Sequence, residues 1–314
     1  MEEKDSMERE EFAQAVTEMV SRGLGSRYQV ERTEVRKNNG VVKESLLVRQ
    51  EGSECAPSFY LEELYRSYCG GLPAEMLAEH IMEIVREENG GFARVTDFLS
   101  KAWLEENLFL RLVNFERNLE QLKDAVYVRR LDLAAVFYVL TKQDEEGIKS
   151  FRLPKEVWEK AGLGSAEQYF EKILKNTERL FPADVKRIEE SLAECVRKNG
   201  EKEPDWLISE LQGTDEAGGS LFYVLSNKVN INGAITLFYP GMLGRLEKKF
   251  PGGFYLIPSS IHEMLLLAES EETEVRELNQ MVCEVNESHV APEEVLSDHV
   301  YYYSKTRGLC SMAG

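Results

Sequence analysis

Apolar residues recur every three or four positions at Phe12, Val16, Met19 and Val20, and Gly23 follows as a stop, so the chain is predicted to open with an amphipathic helix. Two β-prone stretches, 28–36 and 41–49, flank Asn38-Asn39-Gly40. Asn-Gly supplies the positive φ that both central residues of a type I′ turn need, and a hairpin is predicted there. Pro57 breaks the chain, 59–68 reads as an aromatic-rich helix ending at Cys69-Gly70-Gly71, and Pro73 opens another with Leu77, Ile81, Ile84 and Val85 on one face. His80 lies beside that face, where a packed or boundary histidine is the simpler expectation than a ligand. Val95, Phe98, Leu99, Ala102 and Trp103 make a further helical stripe, and 108–115 alternates as a strand. The nearly continuous apolar run 131–140, with Asp132 near its start, has the pattern of a strand covered on both faces.

The chain then echoes itself. Phe137-Tyr138-Val139-Leu140 is followed by Gly147, Phe151 and Pro154, and Phe222-Tyr223-Val224-Leu225 by Gly233, Phe238 and Pro240. Each copy reads as strand, turn, strand, proline and helix, the pattern of a pseudo-repeated building block. Between them, Ser165 with Gln168 fits a capping box for a helix carrying Phe170, Ile173, Leu174 and Thr177. Pro182 is read as opening a second helix with Val185, Ile188, Leu192 and Val196 inward. Lys198-Asn199-Gly200 and the polar run 212–220 bracket a short segment with Trp206, the best linker or insertion candidate. The stretch 220–270 is read as a hairpin, a short helix and a further strand, with Ser259, Ser260, His262 and Glu263 between two apolar runs. Val275, Leu278, Val282 and Val285 give a last helical stripe, with Cys283 beside it and expected to be inert. A turn at Pro292 and a closing strand over 300–303 follow, with the tail from Thr306 expected to be loose.

The expectation is an α+β fold of β-hairpin–helix units, mixed or antiparallel sheet and packed helices, in regions 1–197 and 220–314 joined by 198–219, or in one integrated domain. At 314 residues with 30% charged and 43% hydrophobic side chains the chain is globular rather than disordered. Its formal charge of −18 repels phosphate backbones and no basic patch offsets it, so generic nucleic-acid binding is not expected. Five scattered cysteines without a C-x-x-C pair suit reduced thiols. The charged amino terminus lacks the apolar core of a signal peptide, and no apolar run approaches the ~18 residues of a membrane span, so the cytoplasm is the expected compartment.

Chemistry is sought first in Pro258-Ser259-Ser260-Ile261-His262-Glu263. An extended backbone there puts Ser260 and His262 on one face as nucleophile and base, with Asp298 as the orienting acid. No Gly-x-Ser-x-Gly elbow supports this. A metal alternative gathers His262, His289 and His299 with Glu263 or Asp298, at spacings that match no standard site. Asn227 and Lys228, with Glu263 and His299, are ligand-binding or surface candidates, although asparagines here are turn formers first. Tyr301-Tyr302-Tyr303 offers an aromatic surface or core packing, and no phosphate-loop pattern occurs.

Several runs resemble one family closely: Lys37-Asn38-Asn39-Gly40, Leu131-Asp132-Leu133-Ala134, Asn176-Thr177, Tyr223-Val224-Leu225-Ser226-Asn227-Lys228, Tyr239-Pro240-Gly241, Ile257-Pro258-Ser259-Ser260-Ile261-His262-Glu263 and Leu296-Ser297-Asp298-His299-Val300-Tyr301. The chain is similar, from about Phe12 to Tyr303, to the uncharacterised domain-of-unknown-function family 5688 of anaerobic gut Firmicutes. The resemblance implies a bacterial origin and one family-length unit, and it brings no activity, cofactor or catalytic residue. Ser226 stands where the family is expected to carry Thr, and Ile257 where Leu is common. The reading is therefore a non-enzymatic interaction or regulatory protein with a protein partner. The alternative is a hydrolase or metal-dependent enzyme centred on the Ser-Ser-Ile-His-Glu segment, and the sequence leaves the choice, the oligomeric state and any cofactor open.

Overall fold

The computed structural model describes residues 7–53, 56–88, 100–144, 147–212 and 222–312. Val95, Phe98, Leu99, Cys55 and residues 213–220 of the polar run lie outside them. The fold is α+β with antiparallel sheets, in two compact units, Met1–Ser100 and Lys101–Gly314.

In the first unit, α1 (Arg9–Leu24) buries Phe12, Ala13, Val16 and Val20, the predicted stripe with Ala13 in place of Met19. Gly23 is not the stop. It sits inside α1, where an added Cβ would lie 2.1 Å from Met82 Sδ, and Gly25, at φ 75°, ends the helix. The hairpin of β1 (Tyr28–Arg36) and β2 (Val42–Gln50) forms around the Asn-Gly turn, with Asn39 and Gly40 at φ 58° and 73° and the Val41 amide donating to Asn38 O at 3.3 Å. Ser58–Tyr60 is a third strand, β3, rather than the start of a helix, because its backbone finds partners along β2. Helix α2 (Leu61–Cys69) begins only after it, and α3 (Ala74–Glu88) buries Leu77, Ala78, Ile81 and Val85 beside α1. His80 is exposed on α3.

The second unit begins with α4 (Lys101–Asn107) and β4 (Leu108–Asn114), followed by α5 (Leu119–Leu122), β5 (Tyr127–Arg130), β6 (Leu133–Asp144) and β7 (Gly147–Arg152). The sheet order is β4-β6-β5, with β7 also pairing to β6. Every residue of Leu133–Phe137 is buried, as the continuous apolar run implied. Next come α6 (Lys155–Lys160) and α7 (Ala166–Leu180), the latter capped by Ser165, whose side chain accepts from the Gln168 amide. Pro182 does not open a helix. The chain forms β8 (Ala183–Arg187), and α8 (Ile188–Lys198) starts after it with Ala193 buried and Leu192 exposed. Helix α9 (Asp205–Gln212) precedes β9 (Phe222–Asn227). The segment 198–219 thus connects β8 and β9, which are neighbours in one sheet.

The echo is only half structural. Its first copy is strand, turn, strand, Pro154 and helix; in its second, Gly233–Phe238 is a 3₁₀ segment leading through Pro240 to α10 (Met242–Lys249). Hairpin β10 (Phe254–Ser260) and β11 (Glu263–Ala268), helix α11 (Val275–Ser288) and strands β12 (Tyr301–Ser304) and β13 (Gly308–Ser311) complete the chain. The expected loose tail is ordered as β13 because β12 presents it a free edge. These strands form a six-stranded sheet in the order β13-β12-β10-β11-β9-β8. Tyr255, Ile257, Leu267, Val300 and Tyr302 pack with Val282 of α11 in one core cluster.

Strand β4 is an edge, and α7 closes it with side chains. Thr177 Oγ1 accepts from the Leu110 amide at 3.0 Å while donating to Ile173 O at 2.7 Å, and Asn176 Nδ2 donates to Leu108 O at 2.6 Å. Thr177→Val keeps the shape but orphans the buried Leu110 amide, so a loss of about 1–3 kcal/mol is expected, read from the urea midpoint at unchanged slope.

Candidate functional site

The Ser-Ser-Ile-His-Glu segment folds as the tip of the β10–β11 hairpin rather than as a continuous strand. Pro258 lies beyond the β10–β12 pairing and beside a register irregularity against β11, the kind of position where strands admit proline. Ser260 pairs with Glu263, leaving Ile261 and His262 in the turn. The Ser260 hydroxyl accepts from the backbone N–H of His262 at 3.0 Å, a serine turn that directs the oxygen to backbone rather than to the imidazole.

The imidazole itself is engaged on both sides. Its Nδ1 accepts from the Asn232 backbone N–H at 3.0 Å, which assigns the proton of the neutral ring to Nε2, and Nε2 lies 3.4 Å from Glu294 Oε1. Around it, Ser226 Oγ donates to His262 O at 2.8 Å, Ile261 N–H to Glu294 O at 2.8 Å, and Ala234 N–H to Ile261 O at 3.2 Å. Glu263 accepts from Ser259 Oγ at 3.1 Å. Gly233 makes this closeness feasible, since a Cβ there would lie 2.2 Å from Ser226 Oγ and 2.5 Å from His262 O. Where the sequence pattern predicts a second strand the chain takes a 3₁₀ path, since β9 already has β8 and β11 on its two edges.

Asn227 is a scaffold residue, almost fully buried. Its Oδ1 accepts from the Val229 and Ile231 amides at 3.2 and 3.3 Å and its Nδ2 donates to Ile231 O at 2.9 Å, shaping a loop in which Asn230 and Asn232 adopt positive φ. Lys228 is exposed, and its backbone N–H donates to Pro182 O at 2.9 Å.

Asp298 belongs to a second cluster, built on the loop that precedes β12. Its carboxylate pairs with Arg117 at 2.5 Å and accepts from Asn286 Nδ2 at 3.0 Å. Asn286 Nδ2 also donates to Ser297 O at 3.0 Å, Asn114 Nδ2 to Leu296 O at 3.1 Å, and the Val300 amide to Asn279 Oδ1 at 2.8 Å. The centre of this cluster is Asp132, in the β5–β6 turn beside Leu131 at φ 57°. One Asp132 oxygen accepts from Ser297 Oγ at 2.6 Å and the other from Tyr301 OH at 2.7 Å. Burial first, and then the Asp132 charge, push the Tyr301 phenol well above its ordinary range.

Among the described residues no hydrogen bond or ion pair joins Asp298 to His262, and His299, half-buried, spends its backbone N–H on Ser297 Oγ at 3.1 Å. His289 is exposed with Nδ1 2.6 Å from Ser288 Oγ. Among the described residues no three His, Cys, Asp or Glu side chains are grouped to hold a metal ion. Burial, with Asp298 and Glu287 behind it, raises the Cys283 thiol, which disfavours the reactive thiolate. Sequence reasoning missed Asp132, Asn114, Asn279 and Asn286 as network members. A lone aspartate at the head of an otherwise apolar strand was the legible signal for Asp132.

A sequence model described as a family of unknown function, DUF5688, matches residues 9–305. No curated protein and no solved structure matches the chain.

Two outcomes test the network. Gly233→Ala drives a Cβ into backbone and is expected to cost about 1–3 kcal/mol in chemical denaturation. Tyr301 binds its proton more tightly folded than unfolded, so its contribution is intact below the unfolded value of about 10 and is lost as pH rises beyond it. Tyr301→Phe should therefore lower stability at neutral pH by about 1–3 kcal/mol, by leaving an Asp132 oxygen without its donor. It should also flatten the alkaline decline seen in urea titrations from neutral pH upward.

Proposed function

The chain belongs to the family of unknown function DUF5688, and from that premise we propose that it is a non-enzymatic interaction or regulatory protein of the bacterial cytoplasm, acting through a protein partner. The observation that supports this reading is the commitment of the imidazole of His262, accepting at Nδ1 from Asn232 and facing Glu294 through Nε2, while the Ser260 hydroxyl is held by backbone. A serine nucleophile needs a base within hydrogen-bonding reach and an acid behind that base. Here the acid nominated for the role, Asp298, is ion-paired to Arg117. The same side chains serve the fold as turn and loop braces. Among the described residues no helix is long and apolar enough to cross a membrane. On α9, Trp206 is 58% exposed, and tryptophan is among the residue types that concentrate at protein contacts.

The test is affinity capture of the tagged chain from its native lysate at low and moderate salt, with Trp206→Ala and His262→Ala variants beside it. The expected result is one stoichiometric protein partner that survives moderate salt, is lost in Trp206→Ala and is kept by His262→Ala under conditions where that variant stays folded. Recovery of the chain alone, or a hydrolytic activity that Ser260→Ala abolishes without lowering Tm, would overturn the reading.

A further inference from the structure

Side chains on β4, β6 and β7 alternate between the two faces of their sheet, and the registers Phe109↔Tyr138, Tyr138↔Arg152 and Leu140↔Ser150 put Phe109, Arg111, Tyr138, Ser150 and Arg152 on one of them. The Arg111 guanidinium carbon sits 4.3 Å from the Tyr138 ring centroid and 5.2 Å from that of Phe109. Its Nη2 donates to Ser150 Oγ at 2.5 Å. Its Nε is shut off from solvent without an acceptor, and among the described residues no carboxylate pairs with it. The residue as a whole keeps part of its surface accessible. Arg152, directly across from Tyr138, is likewise held by neutral groups, donating to Gln121 O at 3.0 Å and Gln121 Oε1 at 3.4 Å.

This is an unusual investment for a chain with 56 acidic side chains. A desolvated guanidinium costs free energy that ring faces return only in part, and the ordinary structural solution is an acid beside it. Desolvation lowers the Arg111 pKa from its usual value, yet an arginine keeps its charge at any physiological pH. Nε is out of a ligand's reach, so recognition falls to the terminal nitrogens: Nη1, with no acceptor among the described residues, and the second Nη2 hydrogen lie in one plane fixed by two rings and a serine, preorganised for two anionic oxygens. The net charge of −18 repels anions at a distance, so recognition here falls to short-range contacts.

We propose that Arg111, cradled by Phe109, Tyr138 and Ser150 on the sheet face it shares with Arg152, is a binding site for the anionic group of a small ligand, a carboxylate or a phosphate. This goes beyond the interaction reading and does not depend on it: the site would serve a ligand-gated regulator or an enzyme equally.

The full-length ¹⁵N-labelled chain is titrated at constant ionic strength with inorganic phosphate and, separately, with benzoate, following the Arg111 Nε–H and the Ser150 and Tyr138 amide resonances. Saturable shifts at these positions with at least one probe are expected. Phosphate alone assigns a phosphorylated ligand, benzoate alone a carboxylate, and both the shared chemistry. Arg111→Lys keeps the charge but loses the fork and should weaken binding about tenfold or more. Arg111→Met should abolish the response at an undiminished Tm, since removing an unpaired buried charge is not expected to destabilise the fold. The assignment is refuted if neither probe gives a saturable shift, or if the folded Arg111→Lys protein binds both probes as the parent does. It also fails if Arg111→Met lowers Tm while neither probe shifts the parent, which is the behaviour of a purely structural arginine.

Discussion

Within the second unit, much of the arrangement rests on one carboxylate with a hydroxyl donor for each of its oxygens. Asp132 accepts from Ser297 Oγ and Tyr301 OH, residues 165 and 169 positions away in the chain. Ser297 and Tyr301 are fully buried, and a buried hydroxyl left without a partner costs about 1–3 kcal/mol, so the loop before β12 is held where its two hydroxyls meet the carboxylate. The same loop carries Glu294, whose carbonyl receives the Ile261 amide and whose carboxylate faces His262. The turn between β5 and β6 and the tip of the β10–β11 hairpin are thereby braced by one segment. That segment also carries Asp298 and His299, two of the residues nominated for chemistry from the sequence.

Asparagine and threonine do much of the remaining work, each substituting for backbone where a ladder stops. Asn227 closes its own loop, Asn279 and Asn286 hold the 297–300 segment from α11, and Thr177 and Asn176 finish the edge of β4. A short polar side chain with both donor and acceptor can satisfy a buried amide and carbonyl together, which neither carboxylate nor lysine can do. The consequence for function is direct. Polar groups consumed in this way are preorganised and hydrogen-bonded, and they are poor candidates for proton transfer.

Arg111 stands apart because its charge is not consumed. Its desolvation is offset by aromatic faces and one hydroxyl, where Asp132, Asn227 and Thr177 meet matched donors and acceptors. Departures from local satisfaction that lower stability without an evident structural return are where function concentrates.

What the sequence by itself determined was whatever short-range physics decides. The 3–4 spacing of α1 and α3, the Asn-Gly turn, the Ser165 cap and the unbroken apolar run of β6 are stated by neighbouring residues, and the structure has all of them. Tertiary structure decided the rest. Residues 183–187 carry a spacing that also suits a helix, and they are a strand because β9 offers them a ladder. The 308–311 tail is a strand for the same reason beside β12, while 233–238 finds no free edge beside β9, which β8 and β11 already flank, and runs as a 3₁₀ segment. An extended chain puts Ser260 and His262 on one face, and the hairpin turn between β10 and β11 separates their roles. Asp132 with Tyr301, and Arg111 with Tyr138 and Ser150, are pairings between strands distant in sequence. No local pattern encodes such a meeting, because the register that brings the groups together is fixed only when the sheets form.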